Sequence, residues 1–350
     1  MERRVHGAGA VLLAAIVLLT GCSGDDRPAP RSGATGAAAA DGVVTEVDQR
    51  YQQTVSSVLP SVVQITTGGG EGSGVVYDDS GHIVTNAHVV AGARRIEVTP
   101  ASGGGPLRAE AVGAFNADDL AVIKVPGGKL PKAKFGDSAK LKVGQAVLAM
   151  GSPLGLSGSV TNGIVSAMGR TVSTRPGGSF PGSTIVEAIQ TSAAINPGNS
   201  GGALVTLDGQ VIGIPTAAAG DPAGGAAPGI GFATPSATVA TIVPQLIKDG
   251  RVTNSGRAAL GVTVRTVIDL RSGQPAGAEV VEVGAGQAAA AAGIQRGDII
   301  TALGNAQIPS EEALTQALAG KKAGAATEVT LVRDGARKTV DVTLGQLPGD

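Results

Sequence analysis

Histidine is scarce in this chain: its 350 residues contain only His6, His82 and His88. Tryptophan is absent, cysteine occurs once, and the aromatics stop at four Phe and two Tyr. A single cysteine excludes a disulfide framework and thiolate metal clusters. Three histidines leave no multi-imidazole metal site and few candidates for catalysis that needs an imidazole. So few aromatics argue against a stacking platform for bases. Lys plus Arg number 27 against 28 Asp plus Glu, a net charge of −1, so the basic excess of a nucleic-acid-binding surface is missing too. Glycine is abundant, at 55 residues, and 42% of the chain is hydrophobic. At roughly 150 residues per domain, the length suggests about two domains, each large enough to bury a core.

The N-terminus has its own pattern. Arg3 and Arg4 precede an apolar run from Ala8 to Gly21, 14 residues long, shorter than the roughly 20 that a membrane-spanning helix requires. A basic region followed by a short apolar one reads as a secretory signal, residues 1–21. The run ends in Leu19-Thr20-Gly21-Cys22, which is similar to the bacterial lipobox. That resemblance implies lipidation of Cys22, an exported protein and anchoring to the membrane rather than spanning it. Cleavage there removes His6. Residues 22–50 are Gly, Ala, Pro, Ser and charge without apolar periodicity, which predicts a flexible tether.

From about 55 to 245, short β-branched runs alternate with turn signals such as Asp78-Asp79-Ser80-Gly81 and Leu207-Asp208-Gly209. Many short strands at near-regular spacing predict barrels or a sandwich rather than βαβ units. About 190 residues is large for one barrel, so two barrels sharing a cleft are expected. Thr171–Thr184 and Ala217–Gly229, rich in Gly, Pro and Ala, are expected as loops.

Ser200 sits in Gly198-Asn199-Ser200-Gly201-Gly202 between two apolar segments. Glycines around a serine permit a tight turn whose N–H groups converge, the geometry of an oxyanion hole, although the same residues make an ordinary turn. Gly198-x-Ser200-x-Gly202 formally matches the nucleophile elbow of α/β-hydrolases, but that fold needs a histidine after the serine. None follows His88, so the elbow is excluded. The order His, Asp, Ser stays open. His88 ends an apolar strand in Asn86-Ala87-His88-Val89-Val90, where it could also be structural. His82 follows a turn and is expected to face solvent. Asp118-Asp119-Leu120 places two carboxylates where a polar loop enters a strand, and composition does not choose between them.

Together these segments resemble the HtrA (DegP-like) serine proteases. The resemblance is carried by Thr85-Asn86-Ala87-His88, Asp119-Leu120-Ala121-Val122, and Gln190-Thr191-Ser192 through Asn199-Ser200-Gly201-Gly202. It extends to Gly72-Ser73-Gly74, Gly151-Ser152-Pro153 and Gly229-Ile230-Gly231-Phe232. It implies a mainly β fold, a trypsin-like double β-barrel at 51–250 followed by a PDZ domain at 257–346. It also selects Asp119 and implies a triad of His88, Asp119 and Ser200. The oxyanion hole would be the N–H groups of Gly198 and Ser200, and the substrate-pocket walls would include Ile195, Asn196, Pro215 and Thr216. No cofactor or metal is called for. Two departures stand out: Ser192 occupies a position where the family usually has Asp, and Pro215 replaces a usual Asn. The expected walls are small or apolar, which fits a small aliphatic residue before the scissile bond.

Near the C-terminus, Gly293-Ile294-Gln295-Arg296-Gly297-Asp298 resembles a PDZ stretch, and Leu260-Gly261-Val262 matches its carboxylate-binding loop. A peptide C-terminus would add a strand there, against a helix predicted over Glu311–Leu318 and capped by Ser310. The family resemblance further implies unfolded or misfolded protein substrates and a homotrimer. A proteolytically silent chaperone or PDZ scaffold is the alternative from another class.

Overall fold

The structure is a computed structural model that describes residues 35–152, 158–174, 177–196, 198–220, 226–347 and 349. The chain divides into two compact units, Met1–Val47 and Asp48–Asp350. The expected signal segment and Cys22 lie outside the described residues. Of the segment expected to be a tether, the part from Thr35 onward belongs to helix α1, Thr35–Val58. Ala37 through Ala40 have the strongest helix propensity of any residue type, a signal that a search for apolar periodicity passes over. Among the described residues no helix is long and apolar enough to cross a membrane.

The second unit opens with a closed barrel of six antiparallel strands: β1 (Val62–Thr67), β2 (Gly70–Val76), β3 (His82–Thr85), β4 (Ile96–Pro100), β5 (Leu107–Phe115) and β6 (Leu120–Lys124), in the order β1-β2-β3-β6-β5-β4. A one-turn helix, α2 (Ala87–Val90), follows β3. Next comes a sheet of β7 (Lys134–Phe135), β8 (Ala146–Gly151), β9 (Ser159–Thr174), β10 (Ser183–Thr191), β11 (Ala203–Thr206), β12 (Gln210–Gly220) and β13 (Ala226–Pro235). Its order is β11-β8-β9-β10-β13-β12-β7, and a further β11–β12 pairing closes six of its strands into a second cylinder.

Period-2 alternation explains how two barrels share one wall. In β1, Val62 enters the layer between the barrels while Val63 fills the first barrel. In β8, Leu148 and Met150 join that layer while Val147 and Ala149 fill the second barrel. Strands buried on both faces read as continuous apolar runs, as these do. Helix α3 (Ser236–Asp249) caps the layer with Val239, Ile242, Val243 and Leu246, an i, i+3, i+4, i+7 stripe.

The segments expected as loops are strand at both ends. β9 extends to Thr174 and pairs with β10 from Ser183, β12 runs to Gly220, and β13 begins at Ala226. The β9–β10 extension is held by Thr174 Oγ1 and Ser183 Oγ at 2.8 Å rather than by apolar burial, so a search for apolar runs misses it.

The C-terminal domain has its own core around Leu260, Ile300, Leu314 and Leu331. β14 (Ala258–Ala259) leads into β15 (Val262–Ile268), followed by β16 (Pro275–Val283), helix α4 (Ala288–Ala291), β17 (Ile299–Leu303) and β18 (Ala306–Gln307). Helix α5 (Glu311–Ala319), β19 (Ala326–Arg333), β20 (Ala336–Thr343) and β21 (Gly345–Gln346) complete it. Its main sheet runs β15-β16-β17-β19-β20, which leaves β15 at an edge. Ser310 Oγ caps α5 by accepting from the Ala313 N–H at 3.2 Å.

Candidate active site

His88 lies in α2, directly after β3, and Asp119 enters β6. Asn116–Asp118 form a single 3₁₀ turn, and Asp119 leaves it in the left-handed region with φ 52°. The turn brings the Asp119 carboxylate, 0% exposed, under the half-buried His88 ring. Oδ2 lies 2.7 Å from His88 Nδ1, and Oδ1 accepts the His88 backbone N–H at 3.0 Å. That pairing fixes the imidazole orientation from two atoms at once. The Phe180 ring meets the His88 ring edge-on, 5.8 Å between centroids.

Asp119 has a third partner. Thr216 Oγ1, of a residue expected in the pocket wall, donates to Oδ2 in a short hydrogen bond. Asn86 Nδ2 donates to the Asp119 carbonyl at 2.9 Å, and Thr234 Oγ1 donates to the Asp118 carbonyl at 3.1 Å. Composition leaves Asp118 and Asp119 equivalent, and geometry separates them. Asp118 points away from His88, and its Oδ1 receives Arg257 Nη1 at 2.9 Å.

Ser200 sits on the turn between β10 and β11, held from both barrels. Ser73 of β2 donates its N–H to the Ser200 carbonyl at 2.8 Å and its hydroxyl to the Gly198 carbonyl at 2.5 Å. From the second barrel the Pro215 carbonyl accepts the Gly201 N–H at 2.9 Å. Gly201 has φ +82°, and a Cβ there would lie 2.2 Å from the Ser73 carbonyl oxygen. Only glycine fits that position. Among the described residues the N–H groups of Gly198 and Ser200 donate to no acceptor. Ser200 Oγ makes no hydrogen bond to His88 in this state. Hydrogen bonds of this kind often tighten only in the substrate complex.

The other expected residues are more dispersed. Ile195 is 7% exposed and packs in the second-barrel core, where it leaves no room for a side chain at Gly231. Asn196 is exposed and its carbonyl accepts the Asn199 N–H. Ser192 Oγ accepts the Ile164 N–H at 3.0 Å, tying the chain after β10 to β9. His82 does not face solvent: it is 8% exposed, with Nδ1 2.7 Å from Asp78 Oδ2. Pairing in β3 turns it inward, and Asp78 satisfies it there.

The contacts made by Ser73, Asn86, Thr216 and Thr234 escape sequence reasoning, which places Thr216 only in the expected pocket wall. Gly72-Ser73-Gly74 and Asn86 stand inside motif segments, which marks them without assigning a contact. Thr216 and Thr234 carry no local signal.

In the C-terminal domain, Leu260, Gly261 and Val262 join β14 to the edge strand β15. They line a groove of about 550 Å³ together with Gln287, Leu314 and Leu318. The N–H groups of Leu260 and Gly261 donate to no described acceptor, while the Leu260 carbonyl is tied to the Ala289 N–H at 2.8 Å. Free donors beside an open strand edge and a helix suit an extended peptide ending in a carboxylate.

Residues 72–214 match the model of the trypsin-like peptidase domain, and residues 258–344 match that of the PDZ domain. "Probable periplasmic serine endoprotease DegP-like" of Pseudomonas putida (strain W619) is 41% identical over 284 residues, 80% of this chain and 56% of the relative. The chain thus spans little more than half the length of that protein. "Serine protease Do-like HtrA" of Lactococcus lactis subsp. lactis (strain IL1403) is 39% identical over 299 residues, covering 80% of this chain and 72% of its own. Among solved structures, the HtrA-type protease AlgW with a decapeptide matches with a TM-score of 0.58 and 31% identity, over 85% of this chain and 99% of that one. The serine endoprotease from Yersinia pestis matches with a TM-score of 0.57 and 34% identity, over 85% and 98%. With a double barrel, a PDZ domain and these relatives, the chain belongs to the HtrA family of serine proteases.

Proposed function

We propose that the chain is a serine endopeptidase of the bacterial cell envelope that cleaves unfolded or misfolded proteins through an acyl-enzyme. The observation that carries this reading is the buried Asp119 carboxylate, bonded to His88 Nδ1 and to Thr216, beside a serine loop gripped by both barrels. Ser200 Oγ attacks the scissile carbonyl and His88 Nε2 takes its proton. The same nitrogen then gives the proton to the leaving amine, while Asp119 holds the imidazole tautomer and stabilises the imidazolium. The N–H groups of Gly198 and Ser200 bind the oxyanion. Small apolar groups around Pro215 favour a small aliphatic residue before the scissile bond.

The PDZ domain takes peptide C-termini at Leu260-Gly261-Val262, adding a strand to β15. The periplasmic naming of the Pseudomonas relative supports an envelope location, and the lipobox-like Leu19-Thr20-Gly21-Cys22 supports a lipid anchor at Cys22. Residues 1–21 act as the signal, and the protein works as a homo-oligomer of the trimeric kind. Turnover of an unfolded protein substrate tests the reading. Wild-type protein cleaves it, and Ser200→Ala lowers kcat by roughly 10⁶-fold while substrate binding persists. Equal turnover by both would refute it. No turnover by either would favour the chaperone or scaffold reading.

A further inference from the structure

Arg257 belongs to two places at once. Its backbone is part of the PDZ domain: it forms a bridge with Lys322, and its carbonyl accepts the Leu347 N–H at 2.8 Å. Its side chain leaves that domain and enters the protease barrel. There one nitrogen, Nη1, donates to the Ala117 carbonyl at 2.8 Å and to Asp118 Oδ1 at 2.9 Å. Both side chains are withdrawn from water, the guanidinium 10% and the carboxylate 3% exposed. Arg257 also lines the peptide groove.

The place of contact matters more than its existence. Ala117 and Asp118 are the last residues of the 3₁₀ turn that delivers Asp119 in the left-handed region. Further bonds reach this turn from the barrels: Asn86, His88 and Thr216 bond Asp119, and Thr234 bonds the Asp118 carbonyl. Arg257, from outside both barrels, grips the Ala117 carbonyl and the Asp118 carboxylate.

We propose that Arg257 is a positioning residue for the catalytic acid, supplied by the PDZ domain through the two bonds that its Nη1 makes to Ala117 and Asp118. The proposal rests on the protease reading above. Burial pushes the Asp118 carboxyl above its ordinary range, and the Arg257 charge and hydrogen bond act in the opposite direction. Without the guanidinium, a buried carboxylate next to Asp119 has no counter-charge. It must then take up a proton or turn toward water, and either moves the residue that follows it. Arg257 also lines the groove, so the groove and the Asp119 turn share one residue.

The test uses the full-length protein and three variants, Arg257→Gln, Arg257→Lys and Asp118→Asn. The first readout is kcat and KM on an unfolded protein substrate. The second is the far-downfield proton resonance of the His88 Nδ1–H held against Asp119. Arg257→Gln is expected to lower kcat at least tenfold with KM changed less than twofold, and to shift or broaden that resonance. Arg257→Lys should recover only part of the loss, because its flexible stem is less pre-organised than the guanidinium to hold one nitrogen against both acceptors. The double variant Arg257→Gln/Asp118→Asn should be no slower than the worse single variant, since the two act as one unit. Unchanged kcat and an unchanged resonance in a folded Arg257→Gln protein would overturn the proposal, as would full rescue by Lys. If Arg257→Gln does not fold, Arg257→Lys and Asp118→Asn carry the same comparison. If the wild-type protein itself turns nothing over, the protease reading has failed. The resonance then still shows whether Arg257 holds the Asp119 turn.

Discussion

The Asp119 carboxylate accepts three hydrogen bonds: from the His88 N–H, the His88 imidazole and the Thr216 hydroxyl. A fully buried carboxylate needs such partners, because each one lost leaves charge without solvation. Thr216→Val keeps the shape and removes one donor. A hydrogen bond to a charged group contributes about 1.5–3 kcal/mol, so kcat should fall roughly ten- to a hundredfold, with KM little changed. Steady-state kinetics on wild type and variant decide this. Gly201→Ala makes a harsher demand, since its Cβ would sit 2.2 Å from the Ser73 carbonyl at a φ of +82°. That variant should lose activity through displacement of Ser200 yet keep the far-ultraviolet circular dichroism of the wild type. At this scale the sequence discloses the residues whose local motifs are distinctive, His88, Asp119 and Ser200. The bond from Thr216 to Asp119 is not legible, because that partner lies 97 positions away, and the sequence places Thr216 only in the expected pocket wall.

Among elements, strands with apolar alternation are easy to read, and those held by polar side chains are not. The β9–β10 hairpin is the clearest case: Ser173, Thr174, Ser183 and Thr184 pair across it, yet their composition reads as loop. The PDZ elements depend on a different kind of bond. Arg333 at the end of β19 forms a fork with Asp298, at 2.6 Å to each carboxylate oxygen, and also donates to the Gly293 carbonyl at 2.8 Å. This ties the turn between α4 and β17 to the sheet. Burial alone would raise the Asp298 carboxyl, but the Arg333 hydrogen bonds, the Gln295 N–H and nearby positive charge hold it below its ordinary value. A carboxyl depressed in the folded state contributes stability that is complete above its unfolded value, about 4, and is lost as pH falls through the folded value. Asp298→Asn should therefore lower PDZ stability at neutral pH by about 2 kcal/mol and flatten its decline below pH ~4. Thermal unfolding across that range, followed for both proteins, measures both effects.

For the whole molecule, the double barrel follows from strands buried on both faces. The spacing of short strands over about 190 residues predicts it, and the shared layer of Val62, Leu148, Met150 and Val239 realises it. What the sequence does not disclose is how the PDZ domain meets the protease. Arg257 reads as an ordinary charged residue at a domain boundary, and its buried partner lies 139 positions earlier. The helix from Thr35 was hidden for a related reason, since small residues without apolar spacing carry helix propensity but no pattern. Histidine scarcity is the most informative absence. It excludes the hydrolase elbow and points to His88 as the proposed base, the histidine whose Nδ1 lies 2.7 Å from Asp119 Oδ2.

The most direct measurement is reaction of the folded protein with a fluorophosphonate probe, with the modified residue located by mass spectrometry. The account predicts a single adduct on Ser200, formed by wild type and nearly abolished in His88→Ala, since the hydroxyl then has no base. An adduct elsewhere, equal labelling without His88, or no adduct in folded wild-type protein with its PDZ groove occupied would contradict it.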